Sequence, residues 1–266
     1  MATPEPFVDI HCHLIPGIDD GAKSWQEALT MAEIAVADGV TTVVVTPHQL
    51  GTYSHNDGHL IRQRCQELQQ QLDDHHIPLR VAPGADVRID ETMLAGLRSG
   101  RVLTLADRNK HVLLELPHEL YFPLDGVLSG LNDFGVTGIL SHPERNQGLL
   151  REPQEVQRLV ELGCLMQVTA GSLTGTFGAA CQQMAEWMLA QDLVHFLATD
   201  AHGARSRRPL MSRAFEFVAA FVNEQAALDV CCRNPAAVVA GQQIHGGHHR
   251  PKKRSISSWL NWRKAG

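Results

Sequence analysis

Seven short apolar runs recur along this chain, and almost every one ends in a histidine or a carboxylate. The runs lie at Phe7–His13, Thr41–Thr46, Leu79–Val87, His111–Leu116, Val136–Ser141, Cys164–Thr169 and Leu193–Thr199. Between them fall segments with a 3.6-residue apolar period, which marks amphipathic helices. In "SWQEALTMAEIAVADG", Ser24 and Glu27 make a capping box and Gly39 stands where the helix stops. "REPQEVQRLVELG" and "CQQMAEWMLAQDL" repeat the pattern. Strands that alternate with helices form parallel sheets, and a barrel closes such a sheet economically. The expectation is one α/β domain over residues 1–244, built as a seven-stranded barrel.

Parallel strands all point the same way, so the residues that end them share one face. His11 and His13 alternate along the first run, which puts both imidazoles on one side and Cys12 on the other. "TTVVVTPH" then delivers His48, "VAPGADV" Asp86, "VLLELP" Glu115, "GILSHPER" His142, and "FLATDAH" both Asp200 and His202. Imidazoles and carboxylates without a thiolate suit Mn, Fe or Zn. Eight such ligands exceed one coordination sphere, so two or three divalent ions that share carboxylates are expected. Of the two acids in "PGIDDG", Asp19 is assigned to the metals or to acid–base work, and Asp20 to the turn.

Composition removes several alternatives. None of the six cysteines forms a C-x-x-C pair or starts a cysteine-phosphatase loop, which argues for a reducing, cytoplasmic setting. The net charge of −6 gives the body of the protein no reason to bind nucleic acid. No apolar run reaches the length of a membrane span. Residues 245–266, "HGGHHRPKKRSISSWLNWRKAG", are basic throughout and are expected to be a disordered tail. Weak contact of that tail with an anionic membrane or an acidic partner is the alternative.

The set "DIHCH", "TPH", "GAD", "LLELP", "SHPER" and "TDAH" resembles the metal motifs of the polymerase and histidinol phosphatase (PHP) superfamily. "DIHCHLIPGIDDG", "SHPERN" and "LVHFLATDAH" are similar, within it, to bacterial capsular-polysaccharide tyrosine phosphatases of the CpsB/CapC type. The resemblance runs from about Phe7 to about Gln243. It implies a distorted (β/α)7 barrel holding up to three metals, with manganese preferred. It also implies hydrolysis of phosphotyrosine on a bacterial tyrosine kinase that controls exopolysaccharide or capsule assembly. The ligands it implies are His11, His13, His48, Asp86, Glu115, His142, Asp200 and His202, with Asp19 completing a third ion. Asp86 departs from the family, which has glutamate there. Arginines neutralise a phosphate dianion through bidentate hydrogen bonds. Arg145 fits that role, as does Arg208, which precedes Pro209 as the family pattern asks, one residue further on. Asp19, Asp20 and His48 remain equal candidates for protonating the leaving group. A small-metabolite phosphatase on the same fold, or a non-catalytic kinase-binding regulator, are the alternatives.

Overall fold

A computed structural model of the chain describes residues 5–244. The basic segment 245–266, and with it the expected tail, lies outside the described residues. Among the described residues there are nine strands: β1 (Phe7–Cys12), β2 (Val40–Val45), β3 (His48–Gln49), β4 (Arg80–Pro83), β5 (Asp86–Arg88), β6 (His111–Glu115), β7 (Thr137–Ser141), β8 (Leu165–Thr169) and β9 (Phe196–Ala198). All pairings are parallel, in one sheet of order β1-β2-β4 and another of order β3-β5-β6-β7-β8-β9.

One expected strand resumes past its predicted end after a break and another is interrupted, and this is the distortion. Thr46 and Pro47 separate β2 from β3, where proline has no N–H to give the ladder. The expected strand Leu79–Val87 breaks at Gly84–Ala85 into β4 and β5. A Cβ at Gly84 would meet Val44 Cγ1 at 2.7 Å, so the break brings backbone closer to β2 than any side chain allows. Taken as two broken strands, these four segments leave seven positions around the ring. The breaks step the chain sideways, so that His48 and Asp86 face each other in register on β3 and β5.

The ring returns from β9 to β1 by individual bonds instead of a regular ladder. Cys12 bridges Ala201, Asp200 N–H donates to His11 O (2.7 Å) and His13 N–H donates to Ala201 O (2.9 Å). Asp9, fully buried on β1, accepts hydrogen bonds from the Thr199 amide (3.1 Å) and hydroxyl (2.5 Å). A buried carboxylate needs such partners, and here they fix where the last strand ends.

The first expected helix forms at Trp25–Ala37, with Ser24 Oγ accepting the Glu27 amide and Gly39 left-handed beyond its end. The Glu27 carboxylate takes the Lys23 amide, one residue before the cap, so the box is shifted by a position. "REPQEVQRLVELG" folds as the helix Gln154–Glu161, and its first residue, Arg151, ends a separate short helix, Gln147–Arg151, with Pro153, which cannot donate into a continuous ladder, between the two. The helices' apolar faces close a core over the sheets that includes Leu29, Leu68, Leu159 and Met188. A smaller cluster, including Val8, Ile10, Leu113, Ile139 and Phe196, packs separately. All six cysteines are free and buried.

Candidate metal centre

His11 and His13 leave β1 on one face, with their Nε2 atoms 3.3 Å apart. His11 Nε2 lies 3.2 Å from Asp200 Oδ1 and 3.5 Å from Asp86 Oδ2. His48 Nδ1 lies 3.4 Å from Asp86 Oδ2 and 3.7 Å from Glu115 Oε2. Among the described residues, four overlapping sets have ligand atoms within 4.8 Å of one another: His13/Asp20/His48/His202, His11/His142/Asp200, His11/His13/Asp86 and His48/Asp86/Glu115. The structure thus gathers His11, His13, His48, Asp86, Glu115, His142, Asp200 and His202 at one end of the barrel, as the strand ends predicted.

Two of these residues are aimed by unusual backbone. His142 (φ 35°) and Asp200 (φ 49°) are left-handed just past β7 and β9. Non-glycine residues in that region are strained, and such strain is characteristic of sites where a side chain must be re-aimed.

The donor chemistry fits divalent cations. Neither carboxylate oxygen of buried Asp86 has a hydrogen-bond partner, and neither does His48 Nδ1. Buried polar atoms are rarely left so, and a shared cation would satisfy all three. Asp86 belongs to two of the sets, so its shorter side chain comes within reach of both.

Electrostatics agree. Burial opposes ionisation of Asp200, but His11, His13, Arg145 and Arg207 outweigh it and hold its carboxyl well below the usual range. Burial and the neighbouring Arg145 push His142 well down, leaving it a neutral donor. Burial, then Asp86, lifts Glu115 to about 7. Burial opposes charge on His48 too, yet Asp20, Asp86 and Glu115 raise it to about 11. Carboxylates packed this closely favour positive charge among them.

Asp19 does not take the place expected of it. Its Oδ2 accepts from His13 Nδ1 (2.7 Å) and the His48 amide (3.1 Å), and its Oδ1 accepts from the Gly21 amide (2.9 Å). It therefore orients His13 and fixes Nε2 as the bare nitrogen, the usual duty of a carboxylate behind a ligating histidine. Asp20, assigned from sequence to the turn, points at the cluster instead, with Oδ1 3.4 Å from both His48 Nε2 and His202 Nε2.

The second correction concerns arginine. Arg145 and Arg207 both contact Asp200 Oδ2 and both line the cavity of about 250 Å³ above the cluster. Arg208 is exposed and lies outside that lining. The left-handed backbone at Arg207 (φ 49°) turns its neighbour away. The Phe177 ring packs against both cavity arginines, 4.3 Å from the Arg145 guanidinium carbon and 5.8 Å from that of Arg207.

Two supporting residues were not singled out from sequence. Gln167, fully buried on β8, takes His11 Nδ1 with its Oε1 at 2.8 Å. A lone amide in the run "CLMQVT" was the available signal. Glu144 is fully buried behind Arg145 and accepts from the Thr169 amide (3.0 Å) and the Ser172 hydroxyl (2.7 Å), which anchors the turn carrying His142 and Arg145. Replacing Gln167 by leucine is expected to weaken metal binding about 10- to 100-fold, because His11 loses the bond that fixes its tautomer. Titration of the metal-stripped variant with Mn, read by calorimetry, checks this; unchanged affinity would refute it.

A family model described as "Capsular polysaccharide synthesis, CpsB/CapC" matches residues 7–240. The chain is 34% identical to the tyrosine-protein phosphatase YwqE of Bacillus subtilis over 203 residues, 76% of this chain and 79% of that one. It is 30% identical to the putative tyrosine-protein phosphatase CapC of Staphylococcus aureus, over 79% of this chain and 82% of that one. The fold superposes with a TM-score of 0.86 and 29% identity on a chain from the crystal structures of B. subtilis YwqE and Streptococcus pneumoniae CpsB, unique metal-dependent tyrosine phosphatases. That match covers 93% of this chain and all of the other. A Listeria monocytogenes lactonase, at a TM-score of 0.61 and 11% identity, shares the fold alone over 90% of this chain and 95% of its own. With its family motifs converging on one metal-suited cluster, this chain belongs to the CpsB/CapC family of capsular polysaccharide synthesis.

Proposed function

We propose that this chain is a metal-dependent tyrosine-protein phosphatase, a phosphoric monoester hydrolase that does not use cysteine. One observation carries the reading: two guanidiniums face a cluster of imidazoles and carboxylates across a single cavity of about 250 Å³. A phosphate monoester is a dianion, and repulsion of an incoming nucleophile is the main obstacle to its hydrolysis. Two or three divalent cations, with manganese our choice, would be held by the eight strand-end residues and Asp20, and would supply Lewis acidity to phosphate and water. Arg145 and Arg207 then grip phosphoryl oxygens with paired N–H donors. Phe177 and Asp200 keep both guanidiniums turned into the cavity. Tyrosinate, with a pKa of about 10, leaves with little proton donation. Of the three candidates for protonating the leaving group, Asp19 is committed to His13, while Asp20 and His48 line the cavity as groups that would hold cations, so tyrosinate would depart with none of the three as its dedicated acid.

The substrate is a tyrosine-phosphorylated protein, and we assign it to the tail of a bacterial tyrosine kinase that controls exopolysaccharide assembly in the cytoplasm. Six free, buried thiols suit that compartment, and no helix among the described residues is long and apolar enough to cross a membrane. The purified protein is expected to hydrolyse phosphotyrosine peptides with added Mn, to lose this on chelation, and to turn over histidinol phosphate far more slowly. Turnover that favoured histidinol phosphate would move the reading to a small-metabolite phosphatase.

A further inference from the structure

The cavity above the metal cluster accounts for a phosphoryl group but leaves the rest of the substrate unplaced. A second cavity, of about 220 Å³, abuts it and shares His48 and Glu115 as a common wall. Its far side is the turn Leu50–Tyr53, closed by the Tyr53 amide donating to Leu50 O at 2.9 Å.

That turn stands on a rigid base. Gln49 Nε2 donates to Asn56 O (2.7 Å) and Arg101 O (2.9 Å), and its Oε1 accepts the Leu103 amide (2.9 Å). Asn56 Nδ2 donates to Ile18 O (2.9 Å) and His48 O (3.0 Å). Both amide side chains are buried, so the ends of the loop are fixed while its tip is presented. At that tip the Tyr53 ring stacks on the His48 imidazole, with centroids 5.3 Å apart and planes at 23°. Tyr53 is the one phenyl-type ring among the described residues that line either cavity.

We propose that this second cavity is the subsite for the aryl group of the substrate, with Tyr53 as the platform on which the phosphotyrosine ring packs. The inference rests on the phosphatase reading and names the feature that makes it selective for aryl esters. An ester oxygen alone separates phosphorus from the ring, so a phosphate held over the cluster puts its ring against the adjoining wall. On the His48 side that wall is Tyr53. An aromatic partner there rewards a phenyl ring in an offset or edge-on arrangement, and an alkyl ester gains nothing comparable. Because His48 backs the ring, the platform is also held in fixed relation to the metals.

The test is direct binding of phenylphosphonate and methylphosphonate to the Mn-loaded protein by calorimetry, expressed as the ratio of the two Kd values. The ratio cancels any general loss of metal or phosphoryl affinity. Tyr53→Ala is expected to reduce the preference for the phenyl ligand about 2- to 13-fold, the range that aromatic pairs contribute, and Tyr53→Phe to retain it. An unchanged ratio in Tyr53→Ala, or equal weakening of both ligands, would overturn the platform. A Tyr53-dependent ratio in a protein that hydrolyses no phosphotyrosine would sink the proposed reaction and leave the subsite standing. Full activity with a Tyr53-independent ratio would do the reverse.

Discussion

The His11→Ala/His13→Ala double variant is expected to lose phosphatase activity by about three orders of magnitude or more, even with excess Mn. These two residues enter three of the four candidate ligand sets, so removing them leaves no set complete except His48/Asp86/Glu115. The same double change leaves Asp19 and Gln167 without the imidazoles they orient and strips Asp200 of two imidazole neighbours. Metal content should fall with activity, and elemental analysis of the purified variant reads this without reference to turnover. Circular dichroism guards against a trivial explanation by misfolding. Persistent turnover in that variant, or in wild-type protein dialysed against chelator, would dispose of the metal mechanism.

Arg207→Ala should lower kcat/KM for phosphotyrosine peptides about 10²- to 10³-fold, as loss of a charge-stabilising donor does elsewhere. Arg208→Ala should stay within about twofold of wild type, because an exposed side chain away from the cavity contributes little. Arg207→Lys is not a rescue, since a point charge lacks the planar pair of donors that grips two oxygens. The reverse ranking, with Arg208 critical, would mean that the turn after His202 rearranges when substrate binds. Arg145→Ala should resemble Arg207→Ala, and inhibition by inorganic phosphate should weaken in both.

How much of this was legible beforehand depends on what kind of fact each residue represents. The convergence of the eight strand-end histidines and carboxylates was readable because a β-strand has a strict two-residue alternation and a parallel sheet has a single direction. A histidine that follows an apolar run can then be placed in space without knowing its neighbours. Seven ring positions were readable for the same reason, although Pro47 and Gly84 split two of them into the pairs β2/β3 and β4/β5. The turn residues were not so constrained. Adjacent acids such as Asp19 and Asp20 differ only in which way a loop carries them, and three bonds from Asp19 to His13, His48 and Gly21 decide it. The same holds for Arg207 and Arg208, where one left-handed residue sends neighbouring guanidiniums in different directions.

The sequence by itself determined the chemistry: which groups could meet, that they were imidazole and carboxylate without thiolate, and that they would meet where parallel strands end. The tertiary structure alone decided the division of labour among them. Gln167 behind His11, Glu144 under Thr169 and Ser172, Phe177 against two arginines and Tyr53 on His48 all join positions distant in the chain or set apart by a turn. Periodicity reports the face on which a side chain stands; the partner it finds there is set by how separate elements pack.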